Sequence, residues 1–196
     1  WSCGFYSIGL GQEGTLPVTT DLHAHGLSEQ QLDSLADIMQ QAVDQQAIAG
    51  CSFLVVHRGE VVFREAFGFA EIESERAFTT NELVPIASVS KPVLASVVMA
   101  LVDQGKLTLD DPVEKYLPEF KDMKVKGGKH LARRMTIRHL LSHTAGFWGN
   151  KGISAEKLDL IRNFQRPLGE AVSRMATYEL EYQPGTKFVY SGSGFC

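Results

Sequence analysis

The chain has 196 residues, a net charge of −4, 44% hydrophobic and 21% charged residues, 18 Gly and 7 Pro. These are the proportions of an ordinary globular protein, one domain or a little more, and they exclude disordered, collagen-like and coiled-coil readings. The longest apolar run, residues 92–102, is broken by Ser96 and is too short to span a bilayer, and the acidic balance argues against a general nucleic-acid binder.

Residue 1 is Trp, and the chain stops at Gly194-Phe195-Cys196 inside an apolar, glycine-containing stretch; a fragment is expected. The three cysteines, Cys3, Cys51 and Cys196, are few and odd in number, which speaks against a disulfide framework. Cys3, in Trp-Ser-Cys-Gly, fits a lipid-modified cysteine after a cleaved signal peptide, and hence an exported, periplasmic or lipid-anchored protein. An ordinary cysteine in a frayed end is the favoured reading. Residues 1–26 lack sustained periodicity and are expected to be a flexible lead-in.

Ser28 and Gln31 form a capping-box pattern, and Leu32, Leu35, Met39, Ala42 and Val43 recur at helical spacing, so an amphipathic helix is predicted over 29–47, ended by Gly50. Residues 52–58 and 60–66 are β-rich runs around an Arg-Gly turn and read as a hairpin. Phe53, Leu54, Val55 and Val56 are all apolar, so both faces of that sheet are expected to be covered. Val89 to Asp103 is almost wholly apolar or small and predicts a helix buried on most sides. A capped short segment at 110–118, a basic loop over 121–134, a helix from Ile137 to His143 capped by Thr136, and helices near 155–163 and 168–177 follow. A turn at Gln183-Pro184-Gly185 leads into an extended arm, Thr186 to Tyr190. This order is not the alternating strand–helix pattern of a parallel sheet.

The leading chemical constellation is Ser88-Val89-Ser90-Lys91. A serine hydroxyl is a poor nucleophile at neutral pH and needs a base. A lysine three residues on, in a first helical turn, shares its face and can reach it. Backbone N–H groups at the helix start also lie beside the nucleophile, where an oxyanion develops. The spacing alone is weak, because Ser154-Ala155-Glu156-Lys157 has it too. Ser154 reads as the N-cap of a polar surface helix. Ser88 follows an irregular segment and opens an apolar helix, a setting in which a nucleophile is rigid yet reachable; the competing reading is an N-cap serine with a snorkelling lysine.

Pro85-Ile86-Ala87-Ser88-Val89-Ser90-Lys91-Pro92 resembles the nucleophile motif of the serine β-lactamase-like family, which includes class C β-lactamases, D,D-peptidases and related esterases. Three further stretches resemble the same family in the same order: residues 105–113, residues 135–146 (Met-Thr-Ile-Arg-His-Leu-Leu-Ser-His-Thr-Ala-Gly) and residues 183–191. The resemblance covers roughly 30–196. It implies an α/β (α+β) fold of the β-lactamase/transpeptidase type, with an antiparallel sheet and a helical subdomain, of which residues 27–196 carry the first helix, the hairpin and the helical block. It also implies a serine acyl-hydrolase in which Ser88 is acylated, Lys91 is its proton partner and Tyr190 shuttles protons. Tyr190-Ser191-Gly192 departs from the family's Tyr-x-Asn: Gly192 has no side-chain amide to position Lys91 or an amide substrate. The family's late strand, carrying Lys-Thr-Gly or His-x-Gly, does not occur in this sequence, so the later sheet strands are expected to be missing and the chain on its own to be inactive. The resemblance implies no metal, no organic cofactor and a small-molecule ester, amide or β-lactam substrate. A non-catalytic, ligand-binding member is the alternative.

Two other readings were weighed. Asp21-Leu22-His23-Ala24-His25 resembles the metal-binding start of amidohydrolases, in which alternating histidines share a divalent ion. The β-α order that such enzymes need for further ligands is missing, and a solvated pair is favoured. Residues 121–139 hold seven Lys and Arg against Asp122 alone; without interleaved aromatics a solvated loop is the default and a nucleic-acid partner is not expected. His139 and His143 have metal-ligand spacing, but their place in the family-like segment favours packing or capping.

Overall fold

The computed structural model describes residues 16–149, 152–163 and 165–195. The expectations for Cys3, Cys196 and the first fifteen residues lie outside them. The chain divides into two compact units, residues 1–85 and 86–196.

In the first unit, helix α1 spans Glu29–Asp44, and Ser28 and Gln31 close the expected capping box reciprocally. The helix ends before the predicted Gly50. Gln46, at φ 56°, turns the chain, and Gly50 instead opens strand β1 (Gly50–His57). Strand β2 (Glu60–Glu71) returns antiparallel, and a short β3 (Arg76–Ala77) completes the order β1-β2-β3. The hairpin turns on Arg58 and Gly59 with φ of 50° and 84°, the positive pair that matches a two-residue turn to strand twist. Val61, Val62 and Phe63 are consecutive and all buried, so both faces of β2 are covered there. On β1 the expectation fails: Phe53, Leu54 and Val56 remain 37–55% exposed. Pro17 to Gly26, assigned to the lead-in, lie along β2. Val61 N–H donates to the Pro17 carbonyl at 2.8 Å and Thr19 N–H to the Val61 carbonyl at 3.1 Å.

The second unit opens with a 3₁₀ turn, Ala87–Val89, that runs into helix α2, Ser90–Asp103. This is the helix predicted to be buried; in this chain by itself Val89, Val93 and Val97 are 55–62% exposed. An all-apolar helix shows what it is able to bury, not that something covers it. The core lies elsewhere, around Val113, Met135, Phe147, Trp148, Met175 and Leu180. It is enclosed by helices α3 (Ile137–Leu141), α4 (Ala155–Arg162) and α5 (Leu168–Met175). The basic loop contains a small hairpin, β4 (Lys124–Val125) with β5 (Lys129–His130). Residues 124 and 126 exchange backbone hydrogen bonds with Leu180, which is fully buried.

Gly146 joins two parts of this unit. Its carbonyl accepts the N–H of Glu181 at 2.8 Å. At φ 94° a Cβ would stand 2.1 Å from the Tyr182 carbonyl oxygen. Both backbone strain and a backbone clash oppose a side chain there. Gly146→Ala is expected to lower the stability of the protein by about 3 kcal/mol or more, read as the midpoint of urea unfolding; an unchanged midpoint would show that the 146–182 contact is dispensable.

Candidate active site

The nucleophile candidate sits on a strained corner. Ala87 has φ 44°, a left-handed value that costs a non-glycine residue of order 1–3 kcal/mol. The two serines of Ser88-Val89-Ser90-Lys91 then part company. Ser90 Oγ donates to the Ala87 carbonyl at 2.7 Å and braces the turn. Ser88 caps nothing: neither the 3₁₀ turn nor α2 has a side-chain cap. Its oxygen instead receives two other side chains. Lys91 Nζ donates to Ser88 Oγ at 3.0 Å, and the Tyr190 hydroxyl donates to the same oxygen at 2.6 Å from more than a hundred residues away. The three residues singled out in the sequence therefore meet at one atom.

The electrostatics favour ionisation of the phenol. The hydrogen bond to Ser88, then the hydrogen bond and charge of Lys91, hold Tyr190 below the ordinary tyrosine range. Lys91 Nζ also stands 5.1 Å from the centre of the Tyr190 ring. A phenolate beside a lysine cation is a base of the right reach: once Tyr190 is ionised, the short contact reverses and the Ser88 hydroxyl donates to it.

A cleft of about 550 Å³ opens at Ser88, lined among others by Lys91, Leu160, Ile161, Leu168, Gly192 and Phe195. Its α4–α5 side is mixed, with Leu160, Ile161 and Leu168 next to Arg162, Asn163 and Arg166, and the serine and lysine lie opposite; apolar walls with a few polar groups suit a small molecule. Gly192 thus borders the site, and its carbonyl accepts the Phe195 N–H at 2.9 Å. A groove of about 690 Å³ in the first unit, between residues 16–18 and β1, is larger but brings together no nucleophile and base.

The other candidates resolve differently. Ser154 is an N-cap, accepting the Lys157 N–H at 3.3 Å. Lys157 is not solvated as expected but lies over Trp148 at 4.3 Å. Asp21, His23 and His25 do not form a ligand set. Asp21 accepts the Ala24 N–H at 3.1 Å, while His25 turns to Glu60 at 3.0 Å and His57 at 3.2 Å. Among the described residues no group of three His, Cys, Asp or Glu is arranged to hold a metal. Cys51 is a free thiol. The histidines of the 135–146 segment separate. His139 Nδ1 accepts the Thr136 N–H at 3.1 Å and completes the cap of α3. His143 instead faces Tyr190, their ring centroids 4.6 Å apart. The sequence signals that His143 is packed; it carries no signal that its partner is Tyr190.

An antiparallel sheet in one unit and a helical block in the other, the latter bringing a serine, a lysine one helical turn on and a distant tyrosine to one oxygen, are the parts of the transpeptidase-like class of folds. The comparisons with known proteins agree. A family model described as Beta-lactamase matches residues 35–195, and the chain belongs to that family. Esterase EstB of Burkholderia gladioli is 34% identical over 184 residues, covering 89% of this chain and 45% of the relative. Among solved structures, EstCE1, "a hydrolase with promiscuous acyltransferase activity", superposes with a TM-score of 0.74 at 32% identity, over 83% of this chain and 44% of that one. A family VIII carboxylesterase gives a TM-score of 0.64 at 25% identity, over 86% and 43%. The chain thus spans less than half the length of these relatives.

Proposed function

We propose that this chain carries the acylating centre of a serine hydrolase that cleaves small carboxylic esters. The observation that carries the reading is the pair of contacts on Ser88 Oγ, 2.6 Å from the Tyr190 hydroxyl and 3.0 Å from Lys91 Nζ. Tyr190, ionised beside Lys91, takes the Ser88 proton as Oγ attacks the ester carbonyl. The new Oγ–C bond leaves an oxyanion, which collapses and breaks the bond to the alcohol. The departing alkoxide takes the proton from Tyr190. Water then attacks the acyl-Ser88 carbonyl, its proton passing to Tyr190; the resulting oxyanion collapses, the Oγ–C bond breaks, and Tyr190 returns the proton to Ser88 Oγ as the acid is released, which restores the phenolate. Lys91, one helical turn on, donates to the same Ser88 oxygen and holds the pair together.

Esters are favoured over amides and β-lactams by two features. Gly192 stands where the family resemblance expects an asparagine amide, and EstB and EstCE1 bear the names of an esterase and a hydrolase. The cleft walls of Leu160, Ile161 and Leu168 suit an apolar acyl or alcohol group.

The test is paired labelling of the full-length protein with a fluorophosphonate and a fluorescent penicillin, the modified peptide being located by mass spectrometry. The expected result is stoichiometric fluorophosphonate on Ser88 and little or no penicillin. Efficient penicillin labelling would overturn the ester preference; a folded protein taking neither probe would favour the non-catalytic, ligand-binding reading.

A further inference from the structure

Tyr190 has to be held against Ser88 by something, and no strand is described over residues 186–192. The contacts that hold this arm converge on His143. The His143 carbonyl accepts the Val189 N–H at 2.9 Å. Its Nδ1 accepts the Ser191 N–H at 3.3 Å. Between these two bonds the imidazole lies on the Tyr190 ring, with centroids 4.6 Å apart and planes at 42°. Phe188 meets it edge-on at 5.7 Å, and Phe195 lies against it at 5.1 Å with the planes tilted by 38°. One residue therefore grips the residue before Tyr190, the residue after it and Tyr190 itself. His143 adopts a left-handed backbone, φ 56°, directly after α3, a conformation that only surrounding contacts sustain in a non-glycine residue.

We propose that His143 is the positioning residue of this site and its proton switch: neutral, it clamps the 189–191 arm so that the Tyr190 hydroxyl reaches Ser88; protonated, it lets the arm go. The proposal rests on the reading of Ser88 as nucleophile and Tyr190 as its base. The chemistry follows from the acceptor. Nδ1 holds Ser191 only through a lone pair, and a proton on Nδ1 sets two N–H groups against each other. It also places a second cation near Lys91. Lys91 from α2 and Tyr190 from the arm are the titratable groups that face the imidazole. Burial first, and then the charge of Lys91, hold His143 below the ordinary histidine range. The neutral clamp therefore persists into mildly acidic solution and fails below it.

Two measurements on the full-length protein test this. In protein labelled with ¹³Cζ-tyrosine, the Tyr190 resonance, assigned with Tyr190→Phe, is titrated in wild type, His143→Asn and His143→Leu. Asn puts an oxygen acceptor where Nδ1 stood and does not titrate; Leu supplies bulk alone. Tyr190 is expected to ionise below the ordinary range in wild type and in the Asn variant, and to return towards about 10 in the Leu variant. In parallel, the rate of fluorophosphonate labelling of Ser88 is followed against pH. On the acid side, below the ordinary histidine range, the wild-type rate should fall with a slope near two, for protonation of His143 together with Tyr190, and the Asn variant with a slope near one. At pH 7.5 the Asn variant should stay within about 3-fold of wild type, while the Leu variant loses about 10-fold or more. A Leu variant with wild-type Tyr190 ionisation and labelling rate would overturn the proposal, as would an Asn variant that keeps the steep acid limb. If the Leu variant fails to fold, the slope of the Asn variant decides. If even wild type is not labelled, the acyl-hydrolase reading falls, and the tyrosine titration still decides whether His143 positions Tyr190.

Discussion

Ser88→Ala is expected to abolish fluorophosphonate capture and to lower ester turnover by at least about 10³-fold, with the protein as stable as before. The kinetic part follows from chemistry: without Oγ there is no acyl-enzyme, and only binding and oxyanion contacts remain to assist water. The stability part follows from geometry. The Ser88 hydroxyl caps neither the 3₁₀ turn nor α2, and its two donors, Lys91 and Tyr190, reach it from exposed or half-exposed positions where water replaces the lost acceptor. The second Ser-x-x-Lys provides the control. Ser154 accepts the Lys157 N–H as a true N-cap, so Ser154→Ala should cost about 1 kcal/mol in urea unfolding and leave labelling untouched. If the two variants exchange these signatures, with Ser88→Ala destabilised but still labelled, Ser88 is a structural cap and the assignment of the nucleophile is wrong.

Tyr190→Phe should slow acylation by about 10² to 10⁴-fold, the range for loss of a positioned general base. The substitution removes one oxygen and leaves the ring that packs on His143 at 4.6 Å, so folding and the cleft should be preserved. What disappears is the 2.6 Å contact to Ser88 and the phenol that stands beside Lys91. Single-turnover labelling separates this from a binding defect: the maximal rate should fall while the probe concentration at half-saturation stays within about 3-fold. A Phe variant that acylates at the wild-type rate would move the role of base to Lys91.

The start of the helix and the turn of the hairpin in the first unit were legible because their signals are local. The capping box at Ser28 and Gln31, the helical spacing from Leu32 to Val43 and the Arg58-Gly59 turn each act within a few residues, and the chain obeys them. The exposed α2 and the half-covered β1 were misjudged for the opposite reason. Apolar composition reports what a segment can bury, whereas burial depends on which surfaces come to it. The hairpin at 124–130 was missed because its strands are two residues each and hold through Leu180, more than fifty positions away.

The site divides in the same way. Sequence alone determined that Ser88 and Lys91 are neighbours, and so a candidate pair, since a turn of helix fixes their neighbourhood whatever the rest of the chain does. Through the likeness of its motifs to a family it also named Tyr190. Only the tertiary structure decided that Tyr190 meets Ser88, that Ser90 rather than Ser88 braces the turn, and that His143 grips the arm while His139 caps a helix. The two histidines have the same residue type, lie four positions apart and are both partly buried. What separates them is the backbone turn at His143, which ends α3 and points one imidazole at a segment nearly fifty residues on, a long-range contact that no local pattern encodes.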